Sequence, residues 1–140
     1  MRQATAAIDR AWCDALAARL LKQTIRPGDA PYLDRYFVAG WTPRARRNGP
    51  AIFLHHFVGS DPREQVHSHP WGAISLLLVG AYRETRCAAD GRETVRDLQA
   101  GDLNVLAPDD RHRIELLTAD VWTLFLASDY VQPWHVTPSC

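Results

Sequence analysis

His67 and His69 stand two residues apart in Val66-His67-Ser68-His69-Pro70-Trp71, and a further histidine, His112, follows well downstream. Side chains alternate across an extended segment, so residues at i and i+2 point the same way and both imidazoles reach one ion. Imidazole suits zinc, iron, copper and nickel, so histidines converging from separate strands form a transition-metal site whose metal the residue types do not name. Tyr82 and Arg83, with Glu84 beside them, follow Gly80 on the next extended run. A tyrosine or arginine facing inward there orients a substrate carboxylate or stabilises charge on an oxygen, which makes Tyr82 and Arg83 the candidate catalytic residues. His55 and Ser75 are expected to line the pocket around the metal, as is Trp71 if the strand runs on past Pro70; otherwise Trp71 packs in the core. His55 and His56 are strand neighbours, so one of them faces inward, as a hydrogen-bonded wall residue rather than a ligand. His135 is read as a surface or packing residue.

The elements that must hold these side chains change character once along the chain. From about Ile8 to Thr24, Ile8, Trp12, Ala15, Leu16, Arg19 and Leu20 recur at steps of three and four, the pattern of an amphipathic helix with one buried stripe. Pro27-Gly28-Asp29 ends it. Beyond lie short extended runs, Tyr32 to Val38, Ala51 to Val58, Val66 to Trp71, Ala73 to Arg86, Thr94 to Leu98, Asp102 to Leu106, Arg113 to Leu117 and Val121 to Ala127. Turn signals such as Ala89-Asp90-Gly91 and Ala100-Gly101-Asp102 separate them. One helix followed by many short strands predicts an all-β fold, a sandwich or barrel, with the helix packed outside. At 140 residues the chain has the size of one domain. The division expected is an N-terminal helical segment over 1–28 and a single β domain over 29–140.

The histidine spacing resembles that of the cupins. After His67-Ser68-His69 come ten residues and then Gly80, the separation of the first cupin motif, while Gly59 stands two residues too far upstream. The second motif is represented by Gly101 to His112, with the glycine-to-histidine separation kept and Pro108 and Asp110 out of register. The resemblance covers about residues 50 to 128. It implies a cupin barrel (a double-stranded, jelly-roll-like β-helix) and a metal bound by His67, His69 and His112. Where the family places a glutamate ligand this chain has Ala73, with Ile74 and Ser75 beyond it, so no carboxylate is supplied there. Glu64 or a water could complete the coordination. A centre of three neutral histidines is similar to the iron site of the thiol dioxygenases, and it leaves positions open for substrate.

That likeness implies a non-haem Fe(II) oxygenase of dioxygenase type, with zinc, nickel, manganese or copper as other metals the site could hold. Two alternatives stay open: a non-catalytic metal- or ligand-binding module, and a lyase, isomerase or decarboxylase using another divalent metal as a Lewis acid.

Composition narrows the partners. Lys and Arg number 16 against 16 Asp and Glu, so the formal charge is zero and no electrostatic footprint for nucleic acid or an anionic membrane is present. A small-molecule substrate is the expected partner. The run Leu76-Leu77-Leu78-Val79 is apolar on both faces, which predicts a homodimer covering whatever the helix leaves bare. Cys13, Cys87 and Cys140 are odd in number and lack C-x-x-C spacing, which fits thiols in a reducing compartment. No segment reaches the ~20 apolar residues of a membrane span. Charged residues interrupt the N-terminus, which is unlike a signal peptide. The expected location is the cytoplasm.

Overall fold

The structure is a computed structural model and describes residues 8–45, 49–62, 65–133, 135–138 and 140. Helix α1 (Arg10–Ala17) is followed by strands β1 (Leu21–Ile25), β2 (Leu33–Ala39), β3 (Ala51–Phe57), β4 (Gln65–His67), β5 (Ala73–Val79) and β6 (Ala81–Cys87). The remainder are β7 (Glu93–Gln99), β8 (Leu103–Leu106), β9 (Arg111–Leu116), β10 (Val121–Ala127) and β11 (Val136–Pro138). They form two antiparallel sheets, one of six strands in the order β1-β2-β3-β10-β5-β8 and one of five in the order β11-β4-β9-β6-β7. The result is a β-sandwich of two sheets, with the helix outside.

Alternation along the strands builds the interior. Phe53, His55 and Phe57 of β3 and Leu33 and Phe37 of β2 are buried, and the interior forms two apolar clusters, one from the six-stranded sheet with Trp41 and Trp71 and the other from both sheets. Phe37, Trp41, Phe53, Trp71 and Phe125 pack towards one end of the sandwich, and Leu33, Phe57, Leu77, Tyr82 and Ile114 towards the other. The space between them, level with His55, holds the site. Gly80 and Gly101, the glycines of the two motif-like segments, have φ of +84° and +98° at the ends of β5 and just before β8. That left-handed conformation favours residues without a Cβ, so both turns depend on glycine.

Three sequence expectations are corrected here. The helix is shorter than the Ile8 to Thr24 pattern implies, and Leu21–Ile25 instead forms β1, paired with β2 from Leu21 opposite Phe37 to Ile25 opposite Leu33. A free strand edge supplied those residues with backbone partners, and tertiary pairing overrode local periodicity. The side chains that the helix buries are Cys13 and Ala17 rather than Ile8 and Trp12, which remain 45% and 46% exposed. Asp9 caps the helix, its carboxylate accepting from the Trp12 amide at 2.9 Å. Finally, the cysteines are not all thiols. Cys87 at the end of β6 and Cys140 form a disulfide across a separation of 53 residues, and only Cys13 among the described cysteines is free. Spacing rules for metal or redox motifs detect local pairs, and this pair is brought together by the fold. Among the described residues no helix is long and apolar enough to cross a membrane, a statement that does not address spanning by strands.

Candidate metal centre

His67 ends β4 and faces His112 of β9 as its direct antiparallel partner, and His69 follows two residues after β4 has ended. The chain turns at Pro70, which brings the His69 ring to 5.0 Å from that of His67 and 5.1 Å from that of His112, while His67 and His112 are 4.7 Å apart. One nitrogen of each lies within 4.8 Å of the others, and all three side chains are buried. The structure thus brings together the three residues expected as ligands.

Their chemistry fits a divalent metal. Burial, reinforced by the neighbouring His112, pushes the His67 imidazole down to about 3 and that of His69 well below its usual range. Both are therefore neutral at ordinary pH, the form that donates a lone pair. His112 is held from behind: its Nδ1 lies 2.8 Å from Oε2 of Glu84. Because a carboxylate only accepts, Nδ1 carries a hydrogen in that contact, and the other ring nitrogen, Nε2, is buried and without a hydrogen-bond partner. An orphaned, buried imidazole nitrogen beside two neutral ones is what a metal ion would satisfy. Nδ1 of His67 likewise points to a carboxylate, 3.6 Å from Oδ2 of Asp61, and Asp61 is fixed by the Ile114 amide at 2.7 Å.

Glu84 is wholly buried on β6 and still anionic. Burial alone would raise its pKa, but the hydrogen bonds from His112 and Asn104 and the charge of Arg86 outweigh it and hold the group well below the usual carboxylate range. Asn104 on β8 organises the surroundings: its Nδ2 donates to Glu84 at 2.6 Å and to the Tyr82 hydroxyl at 3.0 Å, and its Oδ1 accepts from Arg86 and Arg96.

A small cavity of about 40 Å³ lies between the sheets over the histidines. Apolar side chains such as Leu33, Phe57, Ile114 and Phe125 make up much of its wall, so the polar groups on it stand out. The three histidines come from the five-stranded sheet or the loop leaving it. On the opposite wall, β2 and β3 of the six-stranded sheet present Arg35 and His55. Arg35 is the one lysine or arginine lining the cavity among the described residues. Its Nε donates to Nε2 of His55 at 3.2 Å, and its guanidinium lies 4.6 Å from the centroid of the Phe53 ring. Burial, then the charge of Arg35, keeps the His55 imidazole well below its usual range, so it is neutral too.

The remaining expected site residues divide. Ser75 lines the cavity, as does Tyr82, whose hydroxyl burial pushes up to about 12, so it stays protonated. Arg83 does not: it neighbours Tyr82 on β6, points outward and makes a two-pronged ion pair with exposed Asp97 at 2.8 and 3.1 Å. Alternation that turns Tyr82 inward turns Arg83 out. Trp71 packs edge-on to Trp41 at 5.1 Å in the apolar cluster, with the Arg35 guanidinium 5.7 Å from its ring centroid. β4 stops at His67, so strand parity does not carry from the histidines to Trp71. Ala73 is buried in β5 and supplies no ligand, and Glu64 lies outside the described residues. Arg35, Asp61 and Asn104 were not singled out from sequence as site residues, and Glu84 was noted only as a neighbour of Tyr82. Interior parity with Leu33 and Phe37 marks Arg35, and parity with Tyr82 marks Glu84, as charged residues on buried faces.

No family model matches the chain, and no curated protein matches it in sequence. Solved structures do match in fold. An oxalate decarboxylase from Bacillus subtilis superposes with a TM-score of 0.60 at 19% identity, over 81% of this chain and 28% of its own. The formate complex of an oxalate decarboxylase from Lactobacillus farciminis gives 0.57 at 19% identity, over 84% and 32%. An iron(II) form of HppE with bound substrate gives 0.63 at 10% identity, over 79% and 57%. The chain therefore spans a third or less of the oxalate decarboxylases and just over half of HppE. It shares the fold of these structures, and that fold here carries a buried cluster of three histidines suited to a divalent transition metal. The expectation of an oxidoreductase of dioxygenase type is corrected by these likenesses, which run chiefly to oxalate decarboxylases, enzymes of the lyase class.

Proposed function

We propose that this chain is a metal-dependent enzyme of lyase type that decarboxylates a small carboxylic acid. The observation that carries the reading is the opposition of two groups across one cavity: three buried histidines on one wall and Arg35 with His55 on the other. A divalent metal bound by His67, His69 and His112 would supply Lewis acidity towards a substrate oxygen. Fold likeness to the oxalate decarboxylases, one of them described by its Mn(II) centres, supports the reaction class. It does not transfer the metal, because three imidazoles without a carboxylate are a softer donor set than manganese usually takes.

The chain's own residues have separable tasks. Arg35 binds an anionic group of the substrate through a guanidinium already fixed by His55 and the Phe53 face, so little freedom is lost on binding. The apolar wall excludes water, which strengthens that charge interaction and favours release of neutral carbon dioxide over retention of a carboxylate. Loss of carbon dioxide leaves an electron pair on the adjacent carbon. Tyr82, protonated and accepting from Asn104, has its own hydrogen to donate and is the proton source for that carbon.

The test is carbon dioxide release from a panel of small oxo-, hydroxy- and dicarboxylic acids by metal-reconstituted protein, with and without oxygen. Oxygen-independent release that is abolished in His67→Ala and lowered at least ~10-fold in Arg35→Gln is expected. Stoichiometric metal with no release from any acid would point to a binding module, and oxygen uptake without release would contradict the lyase reading.

A further inference from the structure

We propose that the seam between β1 and the β4–β11 pair is a second compartment of the site, which takes the apolar tail of the substrate acid while its carboxylate lies over the histidines. The two sheets are stitched along one side. There Arg86 of β6 and Arg96 of β7 donate to the Asn104 side chain of β8, and Arg86 also donates to the Val105 carbonyl at 3.2 Å. On the other side β1 and β11 are the edge strands, and no hydrogen bond joins them among the described residues. A pocket of about 240 Å³ opens in that seam. Ile25 of β1, Pro27, Pro62 and Val136 of β11 give it an apolar wall. Ile25, Tyr32 and His67 line both this pocket and the cavity over the histidines.

Size separates the two compartments. The 40 Å³ over the histidines is room for a few waters or one carboxylate group, so a longer acid held there has to extend elsewhere. The seam is where it goes, because His67 borders both spaces. Polar groups in the seam do not oppose a tail. The Asp61 carboxylate is already engaged by the Ile114 amide at 2.7 Å and by the Tyr32 hydroxyl, and Arg26 and Gln65 are exposed at the rim. A cation at the rim favours the approach of an anion, and an apolar wall with few polar groups is the usual lining of a small-molecule site. Burial of a part of the substrate that does not react would then hold the reacting carboxylate at Arg35. The inference rests on the reading of the cavity as the place where a carboxylic acid binds, and it names the class: a monocarboxylic acid with an apolar tail, in place of a short dicarboxylic acid.

Isothermal titration calorimetry of the full, metal-reconstituted chain with acetate, butanoate and hexanoate tests this. Each methylene moved from water into the seam should tighten binding by roughly two- to fourfold, so hexanoate is expected to bind at least ~20-fold more tightly than acetate. Val136→Trp fills the seam from a side chain that is 51% exposed, and should remove that gain while leaving acetate binding and metal content unchanged. Pro62→Trp should act alike and serves if the first variant does not fold. Equal affinity along the series, no binding of any member, or a gain that both variants retain would overturn the proposal. The lyase reading fails separately: acids that bind according to tail length and release no carbon dioxide would count against it and leave the second compartment standing.

Discussion

Glu84 and His112 meet at 2.8 Å where neither is open to solvent, at 0% and 1% exposure, and the carboxylate decides which imidazole nitrogen faces the cavity. Two arginines and an asparagine hold that carboxylate ionised on its far side. In a site whose sequence has an alanine where a ligating glutamate is expected, negative charge is thus present one bond further out, behind the ligand. Glu84→Gln keeps the size of the side chain and removes its charge. Affinity for a divalent metal, measured by competition with a chromophoric chelator, should fall roughly 10- to 100-fold with the fold retained. Unchanged affinity would show that the carboxylate plays no part in setting up His112.

Tyr82 and Arg83 are chain neighbours with opposite surroundings, and their variants should separate accordingly. Tyr82→Phe removes the hydroxyl that Asn104 contacts inside the cavity and should lower turnover at least ~10-fold while metal binding persists. Arg83→Ala breaks an exposed ion pair with Asp97 and should leave metal content, turnover and melting temperature within error. A loss of activity in the arginine variant would mean that the outward face of β6 takes part in function.

Asp120 ties the N-terminal helix to the start of β10. Its carboxylate accepts from Arg10 at 3.1 Å and lies 2.8 Å from Nε2 of His56, whose ring stacks on Trp122 at 3.9 Å. The Arg10 hydrogen bond draws the Asp120 pKa down and outweighs the opposing effect of burial, with a smaller lowering from His56. A carboxyl whose pKa is lower folded than unfolded stabilises the native state above its unfolded value, and loses that contribution as pH falls through the folded one. The melting-temperature gap between the unaltered protein and Asp120→Asn should therefore be open at pH 6, narrow below about pH 4 and close in stronger acid. A gap that does not change with pH would assign the contact to packing alone.

The Cys87–Cys140 bond closes a loop across 53 residues of sequence separation. Thiol titration of protein unfolded without reductant should find one reactive group, Cys13, and reduction should add two. Cys87→Ser should cost about 2–4 kcal/mol in denaturant unfolding, chiefly by freeing the unfolded chain. Three thiols before reduction would contradict the pairing.

Much of the ligand set was legible in sequence because it rests on short-range geometry repeated at two places: His67 and His69 share a side, and His112 stands at a fixed distance from its glycine. Gly80 and Gly101 were legible for the same reason, since each needs a conformation other residues resist. What escaped depends on which strands become neighbours. Arg35 is an ordinary charged residue until β2 is seen to lie opposite the histidines. Glu84 becomes the support of His112 only when β6 pairs with β9. Leu21–Ile25 has the periodicity of a helix end, and only the available edge of β2 makes it a strand. Trp71 packs in the apolar cluster because β4 ends at His67, before Pro70.

The central claim is that His67, His69 and His112 hold one divalent metal. Elemental analysis of protein purified without chelating resin, beside His67→Ala and His112→Ala, tests it most directly. Close to one equivalent of a transition metal in the unaltered chain, lost in both variants while the circular dichroism spectrum is kept, is the expected result. A chain that remains metal-free after reconstitution, or variants that retain the metal, would contradict it.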